Sequence, residues 1–285
     1  MKNLKNILQD ARKNHYAIGQ FNISTFEQLK GIFGAVNALR TPVIIGTSEG
    51  EAKFLGIEEI SALIKIAEKK YKIPFFLNLD HGKDLALIKK AVDYGYSAVH
   101  FDGSSFPFEE NARYTKEVIK YARKKSVLIE GELGAIKGES GIHQKKVILT
   151  EDDLTSPEQA KKFADLTNVD CLAIAVGTTH GMYKEEKGID FERLGNISCL
   201  TMKKFLVLHG GSGISEEDIK KAIDLGIVKI NINTEIRLIW RDCLEKKLRE
   251  NQEETKPYKL LADIKDAIQK KVEEKIRMFE TRACK

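Results

Sequence analysis

Residues 205–232 read FLVLHGGSGISEEDIKKAIDLGIVKINI. Phe205–Leu208 is a short apolar run without polar alternation, the pattern of a strand buried on both faces. It breaks into His209-Gly-Gly-Ser-Gly, after which Ser215 with Glu216, Glu217 and Asp218 has the form of a helix start. The helical pattern ends near Leu225, and Val228–Ile232 is a second apolar run. Strand, helix, strand in so short a span is a βαβ unit with parallel strands.

The same alternation runs along the chain. Further apolar runs are Ala17–Phe21, Pro42–Gly46, Pro74–Leu79, Ala98–Phe101, Ser126–Ile129 and Cys171–Val176, which makes eight strands in all. Between them Gly56–Lys70, Leu85–Tyr94, Phe108–Lys125 and Pro157–Leu166 read as amphipathic helices; Thr234–Glu250 follows the eighth strand, and Tyr258–Glu280 is an extra C-terminal helix. The expected fold is α/β, a single (β/α)8 TIM barrel over residues 1–285, with a doubly wound open sheet as the alternative. Gly134–Thr150 is polar and Gly-containing, and is expected to be a mobile loop after strand five.

Composition narrows the function. The 285 residues are 42% hydrophobic and 31% charged, the profile of a soluble globular protein. The net charge of +5 is weak and spread along the chain, so no nucleic-acid partner is expected. No apolar run approaches the ~20 residues of a membrane span, and the N-terminus lacks a signal-peptide core. Cys171, Cys199, Cys243 and Cys284 form no closely spaced pair, which favours a reducing, cytoplasmic setting.

In a barrel, chemistry gathers where strands end. Here the ends are Asn22, Thr47-Ser48, Asp80-His81, Asp102-Gly-Ser, Glu130 with Glu132, Gly177-Thr-Thr-His180-Gly181, His209-Gly210-Gly211-Ser212-Gly213 and Asn231-Ile-Asn233-Thr234. Three of the six histidines stand there, so His81, His180 and His209 should converge on one mouth. Three imidazoles with an open fourth position suit a catalytic zinc, although histidines at loop starts can also be structural. His15 is expected at the surface, His100 within strand four and His143 in the loop. The Gly-rich segment after His209, with Asn233-Thr234, lies where barrels bind phosphate, its bland reading being a plain turn. Asp80 can shuttle a proton, while Asp102 and Glu132 can support the histidines or bind metal themselves.

These residues resemble the class II fructose-bisphosphate and tagatose-bisphosphate aldolase family. The matching stretches are Leu79-Asp-His-Gly, His100-Phe-Asp-Gly-Ser-Ser, Glu130-Gly-Glu-Leu-Gly, Ala175-Val-Gly-Thr-Thr-His-Gly-Met-Tyr-Lys, Leu208-His-Gly-Gly-Ser-Gly and Lys229-Ile-Asn-Ile-Asn-Thr-Glu, in family order. The resemblance implies that His81, His180 and His209 bind Zn2+, with Asp102 and Glu132 at or near a second metal position. It implies that Asp80 serves the C4 oxygen and that Asn22 and Asn231 lie at the substrate. Gly181, Lys184, Gly210, Gly211, Ser212, Asn233 and Thr234 would hold the C1 phosphate, with a monovalent cation (Na+ or K+) nearby, and Ser48 and Arg237 would take the second phosphate. A loop glutamate of the family would be Glu139, although without a one-residue gap Ser140 takes that place. The expected reaction is zinc-dependent cleavage of fructose 1,6-bisphosphate to two triose phosphates, by a homodimer or homotetramer. Asn233 and Arg237 favour fructose over tagatose 1,6-bisphosphate. No buried strand lysine clearly suits a Schiff-base alternative. The rival readings are a zinc hydrolase on the same barrel and a non-catalytic sugar-phosphate sensor.

Overall fold

The apolar runs are apolar on both faces because they are covered on both faces. In the computed structural model, which describes residues 3–138, 141–143, 148–183 and 188–284, the strands are β1 (Ile18–Asn22), β2 (Val43–Ser48), β3 (Phe75–Gly82), β4 (Ala98–Phe101), β5 (Leu128–Leu133), β6 (Ile142–His143), β7 (Cys171–Ile174), β8 (Met182–Tyr183), β9 (Phe205–Leu208) and β10 (Ile227–Ile232). Eight of them close a parallel barrel in the order β1-β10-β9-β7-β5-β4-β3-β2, with β2 returning to β1. The open-sheet alternative is therefore excluded. The short β6 and β8 pair with each other and join the loops after β5 and β7, helped by the His180 amide donating to the Lys137 carbonyl at 2.9 Å.

The helices are α1 (Leu4–Lys13), α2 (Phe26–Leu39), α3 (Glu49–Leu55), α4 (Ile57–Tyr71), α5 (Leu85–Asp93), α6 (Phe108–Ala122), α7 (Pro157–Thr167), α8 (Phe191–Leu200), α9 (Glu216–Asp224), α10 (Thr234–Glu250), α11 (Pro257–Leu260) and α12 (Ile264–Met278). Ser215 caps α9 by accepting from the Asp218 amide, as its sequence predicts. Leu4, Ile7, Leu8 and Ala11 of α1 pack under the barrel against Ile18, Phe76, Leu128 and Phe205, closing its N-terminal end. The chemistry is thereby confined to the other mouth.

The C-terminal helix of the sequence is two helices, α11 and α12, broken at residues 261–263. The break lets Ile264, Ile268, Val272 and Ile276 enter the core, so α12 covers the barrel's outer surface beside α2. Contact is close at Gly31, where a Cβ would stand 2.7 Å from the Ile268 side chain. Among the described residues no helix is long and apolar enough to cross a membrane.

Candidate active site

The strand ends surround a cleft of about 380 Å³. Ser48, Asp80, His81, Asp102, Glu132, His180, Gly181, His209, Gly210, Ser212, Asn231, Asn233, Thr234 and Arg237 all line it, so the sequence-predicted residues meet at one mouth. Asn22 and Gly211 do not line the cleft and stand behind it, buried. Glu139 and Lys184 lie outside the described residues.

Three imidazole rings cluster there, His81 lying 4.7 Å from His209 and 5.0 Å from His180 between centroids. His209 Nε2 is 2.7 Å from Glu130 Oε1 and donates to it, which leaves the lone pair on Nδ1. His81 Nδ1 is 3.2 Å from Asp102 Oδ2 and donates to it, which leaves the lone pair on Nε2. These two lone-pair nitrogens face one another at 3.0 Å. Two acceptors cannot hydrogen-bond each other, so a cation belongs between them, either a proton or a metal ion.

Ionisation fits that arrangement. Burial would lower the His81 pKa, but Asp80, Asp102 and Glu132 outweigh it and raise the value, so His81 can carry the intervening proton. His209 is lowered, chiefly by burial, and stays the neutral acceptor. Two groups here have ligand atoms within 4.8 Å of one another: Asp80, His81, His100 and His209, and separately His81, Asp102 and Glu132. His180 belongs to neither group, although its ring stands beside His81. His100 Nδ1 accepts from the His81 amide at 3.1 Å, so its Nε2 carries the proton and faces the buried Glu132 Oε2 at 3.3 Å. The donor set fits a divalent metal.

The backbone is shaped for this purpose. His81 sits at φ +49°, a left-handed conformation that histidine rarely adopts. The β3–β4 register slips between Leu79 and Gly82, so Asp80 and His81 form a bulge that turns both side chains to the cleft. The strained residue is held through its amide, which donates to His100 Nδ1 at 3.1 Å.

Asp80 is fixed by two amides. Asn22 Nδ2 donates to Oδ2 at 2.9 Å and Asn231 Nδ2 to Oδ1 at 3.0 Å. Burial alone would raise its pKa, but His81, His100, His209 and Lys229 hold it well below the usual carboxylate range. It is a carboxylate at neutral pH. Beneath it Asn78 donates to Gln20, and Gln20 donates to Asn22, so the support continues down the barrel.

Across the mouth, Gly210 takes φ +65° and a Cβ there would stand 2.5 Å from the Thr179 carbonyl oxygen. Only glycine lets the loop after β9 pass the loop after β7 this closely. α10 starts at Thr234, beside this loop, and Asn233 makes no side-chain cap at its N-terminus. The Asn233 Oδ1 atom is buried and unpartnered. Ser212 Oγ accepts from the Glu235 amide at 3.4 Å, which brings this loop onto the first turn of the helix, and a long helix's N-terminus next to a glycine turn is a place for an anion.

A model of the family described as fructose-bisphosphate aldolase class-II matches residues 2–283. The chain belongs to that family. It is an aldehyde-lyase, and its small-molecule substrates are sugar phosphates. Curated relatives include a sulfofructosephosphate aldolase from Alkalicoccus urumqiensis, 39% identical over 96% of this chain and 95% of its own. A 6-phospho-5-dehydro-2-deoxy-D-gluconate aldolase from Shouchella clausii is also 39% identical, over 96% and 92%. A fructose-bisphosphate aldolase from Staphylococcus aureus is 36% identical, over 98% and 96%. Among solved structures, the YdjI aldolase from Escherichia coli K12 superposes with a TM-score of 0.83 at 31% identity, covering 99% of this chain and 98% of that one.

The aldolase site contains residues the sequence did not single out. His100 was expected merely within strand four, yet its ring lies 4.8 Å from His81 and 5.0 Å from His209 and is fully buried. A buried strand lysine does exist. Lys229 of β10 is 2% exposed, with Nζ 2.5 Å from Glu130 Oε2. It is committed to that ion pair, beneath the cleft rather than in it. Glu51 of α3 is a third such residue, bonded to Asn22, Ser24, Ser48 and Arg237.

Proposed function

We propose that this aldolase, acting as one catalytic domain, cleaves a ketose 1-phosphate between C3 and C4 into dihydroxyacetone phosphate and an aldehyde. The facing nitrogens of His81 and His209, with His180 beside them, are the observation that carries the reading. His81, His180 and His209 would hold zinc, and Asp102 and Glu132 would orient His81 or take a second metal. Zinc bound there supplies Lewis acidity for the negative charge that C–C cleavage leaves on the triose-phosphate half.

The chain's own groups do the rest. Asp80, held as a carboxylate, takes the proton from the C4 hydroxyl as the bond breaks. Asn231, fixed against Asp80 and with its Oδ1 unpartnered, would contact the substrate hydroxyls. Gly181, Lys184, Gly210, Ser212, Asn233 and Thr234 hold the C1 phosphate at the α10 N-terminus, with a monovalent cation beside it. The proton delivered to C3 is assigned to Glu139, on sequence alone. Homodimeric or homotetrameric assembly and a cytoplasmic setting are carried by the sequence in the same way.

Fructose 1,6-bisphosphate is the substrate that Asn233 and Arg237 favour, with tagatose 1,6-bisphosphate as the alternative. The names of the three relatives share a phosphorylated end and differ at the other, which carries phosphate, sulfonate or carboxylate. The test is cleavage of both bisphosphates with and without a chelator. Loss of activity on chelation and recovery with zinc would support the reading. Zinc binding with no cleavage of any ketose phosphate would overturn it.

A further inference from the structure

The end of the cleft away from the glycine turn is built around a buried carboxylate. Glu51 is 6% exposed and fills both its oxygens. Oε2 accepts from the Ser48 amide at 2.7 Å and from Asn22 Nδ2 at 3.1 Å, while Oε1 accepts from Ser24 Oγ at 3.1 Å and from Arg237 Nη2 at 2.6 Å. Ser48 ends β2, three strands around the barrel from β9 and four from β7. Ser48 and Arg237 line the cleft there, and so does Lys83, whose Nζ is 3.6 Å from Asp102.

Two cations reach this end, and each already faces a carboxylate. The Ser48 amide, a good donor for an incoming anion, is also taken by Glu51. What remains is the Ser48 hydroxyl proton, the other N–H groups of Arg237 and the exposed Lys83. A phosphate monoester arrives with a charge of about −1.5 to −2 at neutral pH, whereas a sulfonate or carboxylate carries one negative charge. Placing the additional charge near Glu51, in a partly desolvated cleft, is penalised while the donor geometry stays the same.

We infer that Glu51 is a specificity-determining residue of this distal subsite, whose charge weights it against a phosphate dianion relative to a monoanion, sulfonate or carboxylate. The inference rests on the cleavage reading above and deepens it. Glu51 also serves as the third residue of the Ser48 capping box of α3. A purely structural glutamate would affect every substrate alike, while a charge selector changes their ratio.

The experiment compares kcat/KM of the zinc-loaded enzyme for fructose 1,6-bisphosphate, its 6-sulfonate analogue, a 6-carboxylate analogue and fructose 1-phosphate. Glu51 is expected to hold the wild-type kcat/KM ratio of bisphosphate to monoanionic substrates about tenfold lower than the donors alone would set, the factor for one added charge near one carboxylate. Glu51→Gln keeps the cap acceptor and removes the charge. It should raise that ratio about tenfold, mainly through KM. The sulfonate and carboxylate arms identify which monoanion the subsite takes. A Glu51→Gln effect equal on all substrates, or a ratio that falls, overturns the inference. If no ketose is cleaved, the cleavage reading fails, and calorimetric Kd values for the same compounds still decide the charge preference.

Discussion

Glu130 joins two functions whose separation can be measured. Its Oε1 orients His209 and its Oε2 neutralises Lys229, with both charges buried at 1% and 2% side-chain exposure. Glu130→Gln removes the charge and keeps the shape. Lys229 is then a buried ammonium without a counter-ion, a change that costs about 3–5 kcal/mol. At about 2 °C per kcal/mol for a chain of this size, the metal-free protein should melt roughly 6–10 °C lower. His209 also loses the carboxylate that fixes its tautomer, which should weaken zinc binding by about 10–100-fold, or about 1.4–2.7 kcal/mol. The double variant Glu130→Gln with Lys229→Met separates the two effects. Removing both charges restores most of the melting temperature and leaves the zinc defect in place. Thermal unfolding of the apo-protein and competition against a chromophoric chelator provide the two measurements. An apo-protein of Glu130→Gln that melts like the wild type would refute the buried-pair account. Recovery of zinc affinity in the double variant would refute the account of His209.

Asp80→Asn should lower kcat by about 10²–10⁴ while zinc affinity changes little, and near-normal turnover in a steady-state cleavage assay would remove Asp80 from proton transfer. Gly210→Ala combines a φ of +65° with a Cβ 2.5 Å from the Thr179 oxygen, and should destabilise the protein by at least about 1–2 kcal/mol and raise KM; an unchanged melting curve would show that the loop has room to yield. His81 has a raised pKa in the metal-free fold, so its stabilising contribution is complete below about pH 6.5 and is lost as pH rises through the folded value. Zinc must displace that proton, so below the folded pKa its Kd should rise about tenfold for each unit by which the pH drops, with one proton released per ion. A Kd independent of pH in that range would show that no proton occupies the His81–His209 gap.

The barrel was legible because its strands are buried on both faces, and a run such as Phe205–Leu208 has few other readings. The lining was legible because polar residues that close an apolar run stand out: Asp80, Asp102, Glu132, Asn231. The layer beneath, Glu130 apart, was not, because its members lie inside the runs and read as strand. Yet they follow a rule. Gln20 precedes Asn22 by two residues, Asn78 precedes Asp80, His100 precedes Asp102, Glu130 precedes Glu132 and Lys229 precedes Asn231. Residues two apart on a strand share a face, so each of these five strand-end groups has a polar partner one step deeper on the same wall. Glu51 escapes this rule, since its bond to Arg237 joins residues 186 apart through the meeting of α3 with α10. The two kinds of omission have different origins. The deeper layer is set by strand periodicity and can be read from one sequence once the strand ends are known. The distal subsite is set by helices that meet only after the barrel closes, so charge preference at that end is legible only in the folded chain.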